Sequence, residues 1–336
     1  MNLYFPPFIY FFFLVLGTFI SISSSSLFGM WMGLEVNLMS FIPLVINLEN
    51  NKKSSEAAIK YFLIQAIASS IVIFSSLIFF LFGGNFISYG FNLIITLALS
   101  TKLGMAPLHF WFPEVIEGLN WINSLILLTW QKISPLVILS LFFDPKVLIF
   151  SSMVSAVVGA LSGFNQTSFR KILAFSSISH LGWMGSLMYI SKGLWVDYFL
   201  IYTVTSFIMC LSFWFFSLNY FSQLSIIKDL KMKFIVFINI LSLGGLPPLL
   251  GFFPKWVAML ALVKSVPILA VLIGSSLVTL YFYTRMCFST FTLFIQNLLW
   301  FYKPGTAKKL SFFKFCDFYY FSSYLPYFIC FYMMTS

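Results

Sequence analysis

Charged residues are scarce in this sequence. They make up 8% of the 336 residues, whereas a soluble domain carries about 25%. Hydrophobic residues make up 60% of the chain and aromatic residues 21%. A soluble domain needs far more polar surface than this composition supplies, so the chain is expected to lie in a membrane.

Cysteine is also scarce, and its placement argues against the common metal centres. The four cysteines lie in or beside apolar runs, without the spacing of zinc or iron–sulfur ligands. The sequence has no glycine-rich phosphate-binding loop and no dinucleotide fingerprint. We therefore expect no metal or cofactor in this chain. The net charge of +10 is typical of loops that orient a membrane protein, so no nucleic-acid partner is expected.

Long apolar runs predict an all-α, polytopic integral membrane protein. A helix needs about 20 apolar residues to cross the hydrocarbon core. The first run has no basic leader and no obvious cleavage site, so it is interpreted as a span and not as a secretory signal. About eleven transmembrane helices are expected, near residues 3–22, 27–47, 57–82, 86–112, 121–143, 147–165, 171–190, 194–217, 234–261, 266–288 and 311–334.

Lysine and arginine in the predicted loops indicate the orientation, because they accumulate on the inner side of a membrane. Loops after odd-numbered spans hold only Lys146, Lys192 and Lys264, against eleven basic residues in the other loops. The N-terminus is therefore expected on the inner side and the C-terminus on the outer side. The eleven are Lys52, Lys53, Arg170, Lys171, Lys228, Lys231, Lys233, Lys303, Lys308, Lys309 and Lys314.

The fourth predicted span contains a break. Its stretch 99–113 places a lysine, Lys102, beside Gly104 and Pro107. Proline removes a backbone donor and clashes with the preceding turn, so the helix should kink or unwind there. Unwound backbone at bilayer depth persists only where it is buried in protein or lines a wet cavity. A charge at such a break indicates an ion path.

The break recurs in the ninth predicted span. At an offset of 140 residues, Gly244 and Pro247 match the first copy, Pro248 follows, and Lys255 comes after the second break. Five spans separate the copies, so the second crosses the bilayer in the opposite sense, as in transporters with inverted repeats. We expect a first five-helix repeat at 1–145, a second, inverted repeat at 146–290, and a connecting segment with a terminal helix at 291–336.

Several charged side chains fall inside the predicted spans. A charge at the bilayer centre costs at least about 2.5–3.5 kcal/mol, so each needs a reason. Glu35, Lys102, Lys132 and Lys255 are interpreted as proton-transfer groups, with a structural ion pair as the alternative. Possible relay groups are His109, His180, Lys60 and Lys171.

These relay candidates have simpler interpretations. Lys60 and Arg285 lie near span ends, where long side chains reach the interface. His109 and His180 are alternatively hydrogen-bonding groups between helices. Glu114 and Glu117 belong to a predicted short connection, 113–120, and are expected to be solvated.

Proton transfer is the chemistry that such a set favours. A lysine in a low-dielectric pocket loses affinity for its proton, which allows it to load and unload near neutral pH. A nearby carboxylate favours the protonated form. A glutamate that moves toward or away from a lysine can therefore act as a switch.

The arrangement resembles a known family, the subunit 2 family of mitochondrial NADH:ubiquinone oxidoreductase, within the antiporter-like membrane subunits of respiratory complex I. The likeness runs from about residue 17 to 288. The matching motifs are Trp31-x-Gly-Leu-Glu35-x-Asn, Glu56-Ala-Ala-Ile-Lys60, Lys102-Leu-Gly-Met-Ala-Pro-x-His109, Thr129-Trp-Gln-Lys132, Asn165-Gln-Thr-x-x-Arg170-Lys171, Ser177-x-x-His180 and Leu241-Ser-Leu-Gly-Gly-Leu-Pro-Pro through Lys255.

The resemblance implies a membrane-arm subunit that moves protons while NADH is oxidised and quinone reduced in other subunits. It places the family's proton-path glutamate and lysines on Glu35, Lys102, Lys132 and Lys255. It also implies the mitochondrial inner membrane, a second antiporter-like subunit and small membrane subunits as partners, lipid such as cardiolipin, and FMN, iron–sulfur clusters and ubiquinone in partner subunits. A free-standing cation/proton antiporter is the alternative.

Overall fold

The computed structural model describes residues 7–47, 52–82, 85–191, 193–226 and 230–292, whose regular structure is almost entirely helical. The described residues also contain two 3₁₀ helices, Phe221–Ile226 and Leu262–Lys264, and one isolated β-bridge. The helices are α1 Pro7–Ser23, α2 Leu27–Asn47, α3 Lys52–Phe82, α4 Asn85–Leu103, α5 Trp111–Gly118, α6 Trp121–Leu128, α7 Trp130–Leu141, α8 Pro145–Gly163, α9 Phe169–Ile190, α10 Leu194–Phe215, α11 Leu230–Gly244, α12 Phe252–Ala261 and α13 Val266–Thr292.

The prediction of an all-α, multi-pass membrane protein is confirmed. Within the described ranges, six helical segments are long and apolar enough to cross a membrane. The predicted eleventh span, 311–334, lies outside the described residues, as do Lys192, Lys228 and the basic residues after Thr292. The six segments are Leu27–Ile46, Lys52–Leu81, Trp121–Leu141, Pro145–Gly163, Leu194–Phe215 and Val266–Phe288.

The most enclosed helix is α9. Every residue from Ile172 to Met188 is buried, including His180. Its serines donate to carbonyls one turn back, which satisfies the hydroxyls inside the helix, as Ser177 does toward Ala174. A Cβ on Gly182 would lie 2.6 Å from the carbonyl oxygen of Ser152 in α8. Small residues thus let α8 and α9 approach closely, as in other membrane helix pairs.

The outer surface of the helices is apolar. On α3, Phe74, Leu77, Phe80 and Leu81 are exposed. Side chains of this kind are stable in contact with lipid tails and would be costly in water. This face of α3 is therefore expected to contact the bilayer.

The fourth predicted span is interrupted between α4 and α5. Gly104 has φ +76°, in the left-handed region that favours glycine. The amides of Gly104 and Met105 bond back to the carbonyls of Thr101 and Ser100, which ends α4. The predicted span end at 112 and the predicted connection 113–120 are corrected here. The chain resumes as α5, because Pro113 lies in the first turn, where a missing amide is tolerated.

The break between α11 and α12 has the same backbone pattern. Gly245 has φ +81°, and the amides of Gly245 and Leu246 bond to Ser242 and Leu241. The two left-handed glycines are 141 residues apart (245 minus 104). The offset of 140 expected from the sequence is therefore wrong by one residue. Gly244 is the last helical residue of α11, and Pro248, not Pro247, corresponds to Pro107.

A further irregularity lies in the fifth predicted span, 121–143, for which the sequence predicts one continuous helix. Thr129 separates α6 from α7, with φ −114° and ψ −72°. Its hydroxyl and its amide both donate to the carbonyl of Leu125, a side-chain bond that bends helices. Pro135 also prevents a regular hydrogen bond to the carbonyl of Gln131. Lys132 thus follows directly after a bend.

Candidate functional site

Lys102 lies in the last turn of α4, directly before the first break. It is 6% exposed. Its carbonyl oxygen accepts a hydrogen bond from Gln65 Nε2 of α3 at 3.1 Å. The Gln65 side chain thus satisfies the Lys102 carbonyl, which has no partner within α4 because the helix ends at the break.

Glu35 of α2 is partly exposed and close enough to Lys102 for a Coulombic interaction. Across the described ranges, no carboxylate forms an ion pair within 4 Å of Lys102. The two side chains are therefore neighbours that do not touch.

A small polar cavity joins the surroundings of Lys102 and Lys132. Its volume is about 20 Å³, which is room for about one water molecule. Both lysines line it, and its polar wall carries two connected hydrogen bonds. Tyr61 Oη donates to Gln131 Oε1 at 3.3 Å, and Gln131 Nε2 donates to Asn37 Oδ1 at 3.0 Å. These groups provide the partners that a buried water needs.

Lys132 lies near the start of α7 and is 2% exposed. Its Nζ donates to Tyr202 Oη of α10 at 3.4 Å. The ammonium also lies over the ring of Tyr202, 5.0 Å from the centroid, and over the ring of Phe112, at 5.3 Å. Its surroundings are therefore aromatic on two sides.

His180 lies between Lys132 and Lys255 in the interior. Its Nδ1 is 2.8 Å from Tyr198 Oη, and its ring centroid is 5.1 Å from that of Tyr202. It is close enough to both lysines for Coulombic interactions. His180 thus contacts two tyrosines of α10 and lies near Lys255, which follows the second break.

Lys255 lies on α12 and bonds back across the second break. Its Nζ donates to the carbonyl oxygen of Gly244 at 2.9 Å. The side chain is 4% exposed. A Cβ on Gly245 would lie 3.1 Å from Lys255 Nζ, so the side chain covers the left-handed glycine.

The structure thus brings together four of the residues expected from the sequence. We call them the central row: Lys102, Lys132, His180 and Lys255. In the part of the chain that the structure describes, none of the three lysines has an ion-pair partner within 4 Å. The alternative of a structural ion pair therefore has no geometric support at these lysines.

The remaining candidates lie apart from the central row. Lys60 is 2.8 Å from both Glu56 and Glu114, and Lys171 is 2.7 Å from Glu117. These side chains are 31–65% exposed and line an open pocket of about 410 Å³. The glutamates are solvated, as expected, and they also pair with the lysines.

His109 lies within the first break. Its Nδ1 is 3.2 Å from the carbonyl oxygen of Pro107, and its ring lies beside that of Phe110, with 4.4 Å between the centroids and 32° between the ring planes. Arg285 lies over the ring of Phe164 at 5.4 Å. The groups that His109 and Arg285 contact here do not belong to the central row. In the described ranges, no group of three or more His, Cys, Asp or Glu side chains is arranged to hold a metal ion.

Comparison with known proteins decides the family. The family model described as "NADH:quinone oxidoreductase/Mrp antiporter, TM" matches residues 24–280. NADH-ubiquinone oxidoreductase chain 2 of Anopheles gambiae is 47% identical over 305 residues, covering 89% of each chain. The chain 2 protein of Aedes aegypti is 46% identical over 299 residues, covering 87% of this chain and 88% of that protein. The chain belongs to the NADH-ubiquinone oxidoreductase chain 2 family.

Solved structures show the same fold. A chain of respiratory complex I from Thermus thermophilus matches with a TM-score of 0.77 at 24% identity, covering 84% of this chain and 70% of that one. A chain of the Mrp complex from Dietzia sp. matches with a TM-score of 0.72 at 16% identity, covering 82% and 59%. The chain 2 family thus shares its helical architecture with antiporter-type complexes.

The sequence did not predict several polar residues of the site in this member of the chain 2 family. Asn37 and Gln131 line the cavity, and Tyr202 and Tyr198 contact Lys132 and His180 of the central row. Asn37 and Gln131 could have been predicted from the sequence, because uncharged polar groups at bilayer depth also need hydrogen-bond partners. The tyrosines could not, because aromatic residues are common throughout this sequence.

Proposed function

We propose that this chain carries protons across the mitochondrial inner membrane as a membrane-arm subunit of NADH:ubiquinone oxidoreductase. The proton path runs along the central row, with Glu35 beside Lys102 and water in the cavity between Lys102 and Lys132. The single observation that supports this path best is the burial of three lysines that have no carboxylate partner among the described residues. A permanently charged lysine in such a place is expensive, whereas one that can give up its proton avoids the cost.

The chemistry assigned to each group follows from its contacts. Lys102 exchanges a proton with water in the small cavity, and Lys132 exchanges one with the same water, because both line that space. His180 connects Lys132 with Lys255, because it is close enough to both lysines for Coulombic interactions and its imidazole can accept and donate a proton. Glu35 sets how strongly Lys102 holds its proton through its charge. Relay roles for His109, Lys60 and Lys171 are secondary, because these side chains lie outside the row.

The proposed architecture is two inverted five-helix repeats, 1–145 and 146–290, followed by 291–336, with about eleven transmembrane helices in total. The matching backbone of the two breaks at an offset of 141 supports it. The loop charges favour the N-terminus in the matrix and the C-terminus in the intermembrane space.

The proposed partners hold the redox chemistry. FMN, iron–sulfur clusters and ubiquinone are assigned to other subunits, and this chain contributes no residue to them. The expected neighbours are a second antiporter-like subunit, small membrane subunits and lipid such as cardiolipin.

Two measurements test this function. On a non-denaturing gel, the native protein should comigrate with NADH dehydrogenase activity, whereas a free-standing antiporter would migrate separately. In the assembled complex, Lys132→Met should abolish most proton pumping, because methionine fills similar space and cannot carry a proton. The leucine substitution of a distant buried aromatic residue, Phe213→Leu, is the control for packing effects. Normal pumping by an assembled Lys132→Met complex would contradict the proposed path.

A further inference from the structure

The ammonium of Lys132 lies between two aromatic rings from different parts of the chain. Phe112 comes from α5, directly after the first break, and Tyr202 comes from the middle of α10. Both rings are buried, at 1% and 4% exposure. The faces of aromatic rings attract cations, and the attraction is stronger where water is excluded. It acts on the charged ammonium far more than on a neutral amine.

Phe112 is held in place by the break itself. A Cβ built on Gly104 would lie 3.1 Å from Phe112 Cβ and 3.2 Å from its Cγ. The Phe112 amide donates to the carbonyl of His109, inside the break, at 3.0 Å. The position of this ring therefore depends on the left-handed turn at Gly104. A change in the break would move the ring relative to Lys132.

We propose that Phe112 and Tyr202 form an aromatic clamp on Lys132, and that Phe112 transmits the geometry of the Gly104 break to this lysine. With both rings in place, Lys132 keeps its proton. When α5 shifts and Phe112 withdraws, the N–H bond of the ammonium breaks and the proton passes to water in the adjoining cavity. The neutral amine keeps the electron pair. Phe112 and Tyr202 are positioning residues, and the inference rests on the proposed proton path.

The clamp links the first break, through Phe112, to Lys132, and links Lys132, through Tyr202, to His180. No carboxylate is needed for this link. Among the described residues, no carboxylate lies within 4 Å of Lys132. The rings and the Tyr202 hydroxyl are thus the groups seen to stabilise its charge. Because Tyr202 also faces His180, loss of the proton from Lys132 changes the surroundings of the next member of the row.

Substitutions that separate the ring from the hydroxyl test the clamp. Tyr202→Phe keeps the ring and removes the hydroxyl, whereas Tyr202→Leu removes both. Phe112→Leu removes the other ring at similar volume. Phe213→Leu is the matched control, because Phe213 is 1% exposed and packs on Phe169 and Trp121, away from Lys132. The measurements are the amount of assembled complex on a non-denaturing gel and the rate of proton pumping per assembled complex.

Tyr202→Leu and Phe112→Leu should each lower pumping per assembled complex about tenfold, the order expected for a desolvated cation–π contact. Tyr202→Phe and Phe213→Leu should stay within about twofold of the unmodified complex. Equal losses in Tyr202→Phe and Tyr202→Leu would show that the hydroxyl matters and would overturn the clamp. If Phe112→Leu does not assemble, the Tyr202 pair alone decides.

The outcome also separates the clamp from the proton path. If Lys132→Met loses pumping while Tyr202→Leu and Phe112→Leu both pump normally, the clamp alone is overturned. Normal pumping in Lys132→Met overturns the path, and the clamp with it.

Discussion

Lys255 Nζ donates a hydrogen bond of 2.9 Å to the carbonyl oxygen of Gly244, the last residue of α11. The C-terminal carbonyls of a helix carry partial negative charge and favour a cation. Lys102 also lies in the last turn of a helix that ends at a break. The Lys255 ammonium and the residue Lys102 thus both lie at C-terminal ends of interrupted helices, and at Lys255 a backbone carbonyl is the partner of the ammonium.

This relationship predicts different results for two neutral substitutions of Lys255. Glutamine can still donate to the Gly244 carbonyl, whereas methionine cannot. If Lys255 transfers protons, both variants should lose most proton pumping while the complex still assembles. Measurement of pumping per assembled complex checks this expectation. Restoration of pumping by Lys255→Gln but not by Lys255→Met would show that the lysine only caps the helix.

The offset of 141 between the breaks predicts which glycine is indispensable. Gly245→Ala should reduce assembly, because alanine at φ +81° costs about 1–2 kcal/mol and its Cβ would press on Lys255 Nζ at 3.1 Å. Gly244→Ala should be tolerated better, because Gly244 is helical and alanine favours a helix by about 1 kcal/mol over glycine. The amount of assembled complex after mild heating measures the difference.

Gly274→Ala is the control for this comparison. Gly274 lies in α13, and its Cβ would meet nothing within 4 Å. Its substitution should leave assembly unchanged or slightly improved. If Gly244→Ala proves more harmful than Gly245→Ala, the register of the second break is incorrect.

The sequence predicted the breaks because glycine and proline act locally on the backbone. It placed the second break at Gly244 instead of Gly245, because either glycine tolerates a positive φ and the packing of Lys255 on Gly245 is visible only in the structure. It found the lysines because charge is rare at bilayer depth. It did not find Tyr198 and Tyr202, because the chain has 16 tyrosines and only the packing of α10 against α9 brings these two to His180.

The loop charges predict a topology that labelling can test. The N-terminus and the loop from Lys228 to Lys233 should face the matrix, and the C-terminus should face the intermembrane space. In mitochondria with the outer membrane opened and the inner membrane sealed, protease should therefore reach the C-terminus alone. Cleavage at both termini, or at neither, would contradict eleven spans, because an odd number places the termini on opposite sides.

Lys102 is the residue of the central row closest to a carboxylate that can regulate it. Lys102→Met should leave the complex assembled, because it fills similar volume and removes a buried charge. Proton pumping and coupled quinone reduction should both fall, since the proton at this site is lost. Lys102→Arg should be nearly as harmful, because arginine does not release its proton in a protein.

Glu35→Gln should act more mildly than either change at Lys102. It alters the charge that acts on the lysine without removing the group that titrates, and the two side chains interact through space without an ion pair. The comparison is made on pumping per assembled complex, with NADH oxidation by a hydrophilic acceptor as the measure of intact redox subunits. An assembled Lys102→Met complex that pumps normally would reduce this lysine to a structural role. In that case the water-sized cavity would have no proton donor at its Lys102 side, and the path would have to begin at Lys132.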